Sequence, residues 1–282
     1  MFLKVQEELR ALPDNAQLTK TLCRSLRFCG TLVMDGKYVK VRGYEQKIPF
    51  IYGIDYLTHD LPLGSLYAAE DEMAFASFFT RLKAIGYPLR AVVADDRSGL
   101  KPALLRVFPR ARLQLCQTHY LENIRRRLNI RTEDEYHEFF YALRRILHKT
   151  RRADQVLVEL RFLQENTEPR LHHMLYDVRR RIDELCAYRQ STGCPSTTNM
   201  IEAYNSHLQG RLKTIKGFES FRSAQRWLNA YLIRRRTKTL TDCKSVFRHL
   251  NGLASLQMTI SDVKDYPVWI PGVKLPRKQP KR

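Results

Sequence analysis

RAVVADDRSGL, residues 90–100, is the stretch whose reading decides the fold. A short apolar run, Ala91 to Ala94, ends in two carboxylates, Asp95 and Asp96; Ser98 and Gly99 follow, and a helical pattern starts at Leu100. A run this short, bearing valines and bounded by polar residues, predicts a buried strand. A carboxylate at the C-terminal mouth of such a strand sits where open α/β sheets place their chemistry. A cap for the next helix explains an aspartate there equally well, so the weight falls on the rest of the chain.

Working outward, LKPALLRVFP (100–109) reads as a helix stopped by Pro109, and ARLQLCQTH (111–119) as a strand with Leu113 and Leu115 alternating. Upstream, residues 70–87 read as a helix. Its first-turn acids Glu70, Asp71 and Glu72 suit the helix dipole, and Ala74, Phe75, Phe78, Phe79 and Leu82 form its apolar face. Before it, TLVMDGKYVKV (31–41), IPFIYGIDYLT (48–58) and LPLGSLYAA (61–69) are rich in strand-forming residues and separated by short polar or Gly/Pro breaks. Close spacing makes these three antiparallel. The two later strands follow helical crossovers and should be parallel. The expected class is therefore α/β: a mixed five-stranded sheet, three antiparallel strands then two parallel, on the RNase H-like plan.

Asp35 lies inside the first strand, and an acid among apolar residues is costly to bury without a partner. Asp35-Gly36 also reads as a hairpin turn, but Tyr38, Val39 and Val41 continue the strand pattern. Asp55, in the second strand, is a weaker candidate of the same kind.

Beyond residue 119 the pattern becomes helical. TEDEYHEFFYALRRILHK (132–149) opens with a capping-box pair, Thr132 and Glu135, and VLVELRFLQEN and PRLHHMLYDVRRRIDELCAYR follow. This is an all-α insertion into the α/β core. In 191–217, Ile201, Tyr204, Leu208, Leu212 and Ile215 form an apolar face, with Glu202 beside it in the first turn. Asn199 to Glu202 is also the spacing of an N-cap and its partner. Asn205, Arg211, Lys213 and Lys216 follow on the same helix and suit contact with a phosphate backbone. One more amphipathic helix ends in RRR at 234–236, and PVWIPGVKLPRKQPKR (267–282) reads as a basic arm. The expected organisation is a short basic segment (1–30), a first core part (31–119), the all-α insertion (120–195), core helices carrying the third acid (196–236) and a basic tail (237–282).

The 282 residues carry 49 Lys and Arg against 29 Asp and Glu, a formal charge of +20. Such an excess favours a polyanionic partner, most simply nucleic acid. No apolar run approaches the ~20 residues that span a bilayer, and Met1 to Arg10 has no signal-peptide pattern, so no membrane partner is expected. Six scattered cysteines with no CxxC predict free thiols in a reducing compartment. Cys23 and Cys29 lack a second Cys/His pair for zinc.

Asp35, Asp95 and Glu202 stand out together. In an RNase H-like sheet the first and fourth strands are neighbours, and a later helix can bring in the third acid. Crowded carboxylates repel and call for hard cations; all-oxygen ligands select Mg²⁺ or Mn²⁺. Two such ions roughly 3.5–4 Å apart carry in-line phosphodiester chemistry.

In DGKYVKV around Asp35, VVADDRSGL around Asp95, FPRARLQLCQTHYLENI, and TTNMIEAYNSHLQGRLKTIKGF around Glu202, the chain resembles DDE transposases of the IS256/Mutator-like (MULE) group. The resemblance runs from about residue 31 to about residue 236. It implies nicking at transposable-element ends and strand transfer, with Asp35, Asp95 and Glu202 as the metal-binding triad and two Mg²⁺ or Mn²⁺ ions. Cys116 and His119 match the group's C-x2-H motif near the active site; as a zinc half-site they lack a second half in the sequence. The group usually has Gly where this chain has Asp96. Adjacent strand residues point to opposite faces, and the alignment picks Asp95. The implied partners are double-stranded DNA, both element ends and target, and a second copy of the chain. The location would be cytoplasmic and nucleoid-associated in a prokaryote, nuclear in a eukaryote. About thirty residues precede the core, fewer than the group's usual repeat-binding region, which is what a truncated copy, one piece of a split reading frame or a compact member would show. The competing readings are an inactive transposase-derived DNA-binding protein and an RNase H-like nuclease or resolvase.

Overall fold

In the computed structural model the first strand, β1 (Thr31–Val39), runs straight through Asp35-Gly36 and does not turn there. The structure describes residues 7, 9–149, 153–191, 193–270 and 272–274. β1 pairs antiparallel with β2 (Ile48–Asp55), Asp35 opposite Tyr52 and Gly36 opposite Ile51, and β2 pairs antiparallel with β3 (Leu63–Leu66). β4 (Ala91–Ala94) and β5 (Arg112–Leu115) are parallel, Ala94 opposite Leu115. The five make one mixed sheet in the order β3-β2-β1-β4-β5, which is the antiparallel group plus parallel pair that the sequence implied.

Among the described residues the helices include α1 (Asn15–Leu22), α2 (Glu72–Ala84), α3 (Leu100–Val107), α4 (Gln117–Arg127), α5 (His137–Lys149), α6 (Ala153–Glu165), α7 (His172–Arg180), α8 (Ile182–Leu185), α9 (Asn199–Ile215), α10 (Phe221–Thr237) and α11 (Ser255–Thr259). None of the described helices is long and apolar enough to cross a membrane. The chain divides into two compact units. One comprises Met1–Arg90, Ser98–Ala111 and Asn199–Arg282; the other comprises Ala91–Arg97 and Arg112–Thr198.

In the first unit, β2 is buried at every position, so Asp55 has to be neutralised by hydrogen bonds. Its Oδ2 accepts from the Cys29 and Gly30 amides (3.0 and 3.3 Å) and the Tyr87 hydroxyl (2.8 Å), and its Oδ1 from the Thr58 amide and hydroxyl. That set of donors gives Asp55 a structural task. Burial first, and then the Asp55 charge, push the Cys29 thiol up to about 12. The acids of α2 divide similarly: Asp71 caps the helix by accepting from the Ala74 amide at 2.8 Å, while Glu72 pairs with Arg106 of α3. Gly99, at the start of α3, has φ +81°, and a Cβ there would come within 2.7 Å of the Glu72 backbone. Only glycine meets both demands.

α9 packs on β1, and α10 packs on β3, α1 and α11. Residues past 240, where the sequence pattern weakens, contribute Leu250, Ala254, Leu256, Ile260, Tyr266 and Ile270 to the core of this unit. The end of the basic arm, 275–282, lies outside the described residues.

In the second unit, α4 to α8 pack in succession, and α8 rests on β5. The helix expected from Thr132 starts at His137 instead. Asn129 takes a left-handed φ of 48°, and its carbonyl accepts from the Thr132 and Glu133 amides, so the presumed capping box sits in a turn. Glu135 pairs with Arg170 across that turn. None of the six cysteines is in a disulfide.

Candidate active site

Each unit gathers part of the residues singled out above. In the first, Asp35 faces α9. Its Oδ1 accepts from the Gly36 amide at 2.7 Å, and its Oδ2 accepts from the Asn205 side-chain amide at 2.5 Å. The Asn205 carbonyl oxygen in turn accepts from the Tyr52 hydroxyl at 2.9 Å. Tyr52 is fully buried, and burial pushes its phenol well above the usual range, so it stays a donor. This chain of bonds fixes which way the Asp35 carboxylate points.

The Asn205 side-chain amide is thus turned to Asp35. Glu202 lies three residues earlier in the first turn of α9, half-buried, on the same helix face as Asn205. The helix begins at Asn199, which makes Asn199 its first residue and not its flanking cap. Ile201, Tyr204 and Leu208 are buried beneath it, while Arg211, Lys213 and Lys216 are exposed toward its C-terminal end.

In the second unit, the two acids after β4 part company. The Asp95 side chain is 20% exposed, and its Oδ1 lies 2.7 Å from His119 Nδ1. Asp96 is 48% exposed and pairs with Arg181 at 2.5 Å. Both follow the end of β4, and each has its own partner. Cys116 closes β5 and precedes α4; its amide donates to the Ala94 carbonyl at 2.8 Å, which brings it beside Asp95. Its thiol is buried and accepts from the Thr198 hydroxyl (3.1 Å) and amide (3.3 Å). Burial pushes this thiol up, but the hydrogen bonds from His119 and Thr198 outweigh burial and leave it below the usual range. His119 moves the other way, to about 10, because of its bond to Asp95 first and to Cys116 second. Thr198, buried and touching both, was not singled out from the sequence. Nothing local marks it, because its partners lie some eighty residues earlier.

A cavity of about 260 Å³ opens beside this cluster, lined by Asp95, Asp96, Arg97, His119, Asn123 and Arg126. A second, of about 300 Å³, lies between α4 and α5 and presents Arg125, Arg131, Arg144 and His148 with Tyr141. The cations of this second hollow suit phosphate groups.

The family described as "Transposase, Mutator family" matches residues 18–238. Over 212 residues the chain is 26% identical to the "Transposase for insertion sequence element ISRM5" of Rhizobium meliloti (strain 1021), an alignment covering 72% of this chain and 52% of that protein. The chain therefore spans about half the length of that relative. With Asp35, Asp95, Cys116, His119 and Glu202 all inside the matched region, the chain belongs to the Mutator family of transposases.

Proposed function

We propose that this chain is the catalytic part of a DNA transposase of the DDE type, in the IS256/MULE group, built on an RNase H-like core. In this reading Asp35, Asp95 and Glu202 are the ligands of two Mg²⁺ or Mn²⁺ ions. The observation that carries it is the bond from Asn205 of α9 to Asp35 of β1, which ties the helix bearing Glu202 to the strand bearing Asp35. The donor chemistry fits: the three acids offer only oxygens, the ligands hard divalent cations prefer, and Asp35 is oriented by neutral donors, the Gly36 and Asn205 amides.

Held by Asp35, Asp95 and Glu202, the ions would supply activation of water or a 3′-hydroxyl and stabilisation of the leaving oxygen of an in-line displacement. The chain's own residues do the rest. Asn205, steadied by Tyr52, holds the Asp35 carboxylate. The exposed Arg211, Lys213 and Lys216, with the cations of the helical insertion, bind the DNA backbone. Double-stranded DNA is the partner, as element end and as target, and joining two ends calls for a homodimer. The reaction would take place where the chromosome lies, in the cytoplasm of a prokaryote or the nucleus of a eukaryote.

The test uses the purified chain and DNA carrying the flanks of its own element. Asp35→Ala, Asp95→Ala and Glu202→Ala should each abolish end cleavage and strand transfer while DNA binding persists. Joining at the normal rate by any of the three would remove that residue from the triad. Cleavage of branched or hybrid DNA with no preference for element ends would point instead to a nuclease or resolvase.

A further inference from the structure

The second unit holds a donor set that the proposed Mg²⁺ chemistry does not explain. β4 and β5 are parallel and in register, Ala94 opposite Leu115, so the residues that follow them, Asp95 and Cys116, leave the strand ends side by side. His119 lies three residues into the turn that Cys116 opens. One carboxylate oxygen, one sulfur and one imidazole nitrogen consequently lie within 4.8 Å of one another. The sequence offered only Cys116 and His119, half a site; the third donor, Asp95, comes from a strand more than twenty residues earlier.

We infer that Asp95, Cys116 and His119 form a binding site for a thiophilic divalent ion of the zinc class, in which Asp95 is shared with the proposed Mg²⁺ triad. Sulfur and imidazole are poor ligands for Mg²⁺ and good ones for Zn²⁺. Zinc bonds of about 2.0–2.3 Å place tetrahedral ligands roughly 3.3–3.6 Å apart, a separation these side chains reach by small rotamer adjustments. The sulfur is prepared as an acceptor: the Thr198 hydroxyl and amide both point at it. A thiolate and a carboxylate neutralise a divalent ion, so Arg97 and Arg126 on the cavity wall do not oppose it. The cavity of about 260 Å³ leaves room for water in the fourth position.

Ion binding rests on this cluster alone. The consequence for the reaction, loss of end joining because zinc takes Asp95 out of the triad, rests on the proposed function. The experiment therefore reads binding without DNA. The metal-free, reduced chain is titrated with Co²⁺ as the spectroscopic probe, and Zn²⁺ is then added. One equivalent of Co²⁺ should produce a thiolate-to-cobalt charge-transfer band and the visible bands of a four-coordinate site. Zn²⁺ should bleach them, and a large excess of Mg²⁺ should not. Cys116→Ser should abolish the charge-transfer band, and His119→Ala, at a side chain that is 42% exposed, should weaken Co²⁺ binding at least tenfold. No charge-transfer band, or the same band in Cys116→Ser through another of the six cysteines, or unchanged affinity in His119→Ala, would overturn the site. None of these outcomes bears on whether the alanine variants of the triad join DNA ends.

Discussion

Asp60 and Arg236 form an ion pair whose removal should cost more than any other polar change in the first unit. Arg236 is 1% exposed and Asp60 is fully buried. The guanidinium donates in a fork, Nε to Oδ1 at 2.8 Å and Nη2 to Oδ2 at 2.7 Å, and Nη1 adds bonds to Asn15 Oδ1 and Thr19 Oγ1 of α1. Asp60 also accepts from the hydroxyls of Ser255 and Thr259 in α11. The pair thus ties α1, α10 and α11 together ahead of β3. Removing one member strands the other charge in the core, a penalty of about 3–5 kcal/mol. At ~2–4 °C per kcal/mol for a chain of this size, the midpoint should drop by about 6–20 °C. Thermal unfolding of Asp60→Ala and Arg236→Met, followed by tryptophan fluorescence with Trp227 on α10, measures the midpoint, and urea unfolding measures the free-energy loss. The double variant Asp60→Leu with Arg236→Met should cost much less than the two singles summed, because no buried charge remains. A loss below ~1 kcal/mol in either single variant, set against the expected penalty, would refute the reasoning.

Two further outcomes follow from the geometry. Asn205→Ala frees the Asp35 carboxylate and should reduce end cleavage by roughly 10–100-fold, or raise the Mg²⁺ needed by a similar factor, without changing DNA binding; a full rate at ordinary Mg²⁺ would leave Asn205 a packing residue. Burial, and then His249, hold His59 at about 4, below its usual 6.5, with its ring against Phe247 at 4.6 Å. The folded state prefers neutral His59, so its contribution is complete above pH 6.5 and is lost as pH falls from 6.5 toward 4. The slope is at most about 1.4 kcal/mol per pH unit, about 3 kcal/mol in all. His59→Asn, which accepts the left-handed φ of 57°, should flatten this acid limb in urea melts taken across pH; an unchanged limb would contradict it.

Much of this was legible in the chain because the signals are local. Alternating and continuous apolar runs gave five strands, and their spacing gave the pairing directions. Asp35 was readable because an acid inside an apolar strand demands an explanation. Asp55 presented the same signal and serves the fold, because its six donors come from Cys29, Gly30, Thr58 and Tyr87, a convergence no periodicity reveals. The RRR run at 234–236 carries no local mark that separates its members, yet Arg236 is buried against Asp60 and Arg235 lies over the Tyr204 ring at 4.6 Å. Which cation of a run is structural depends on an acid 176 residues away. Separation in sequence likewise hid Thr198 behind Cys116, 82 residues earlier, and made half a metal site out of a set of three donors.

The central claim is that Asp35 touches a divalent ion during catalysis, and Asp35→Cys tests it most directly. Sulfur accepts Mn²⁺ far better than Mg²⁺. Measured as strand transfer of the element's own ends, this variant should be silent with Mg²⁺ and regain product with Mn²⁺. Wild-type rates with Mg²⁺ would show that Asp35 holds no ion.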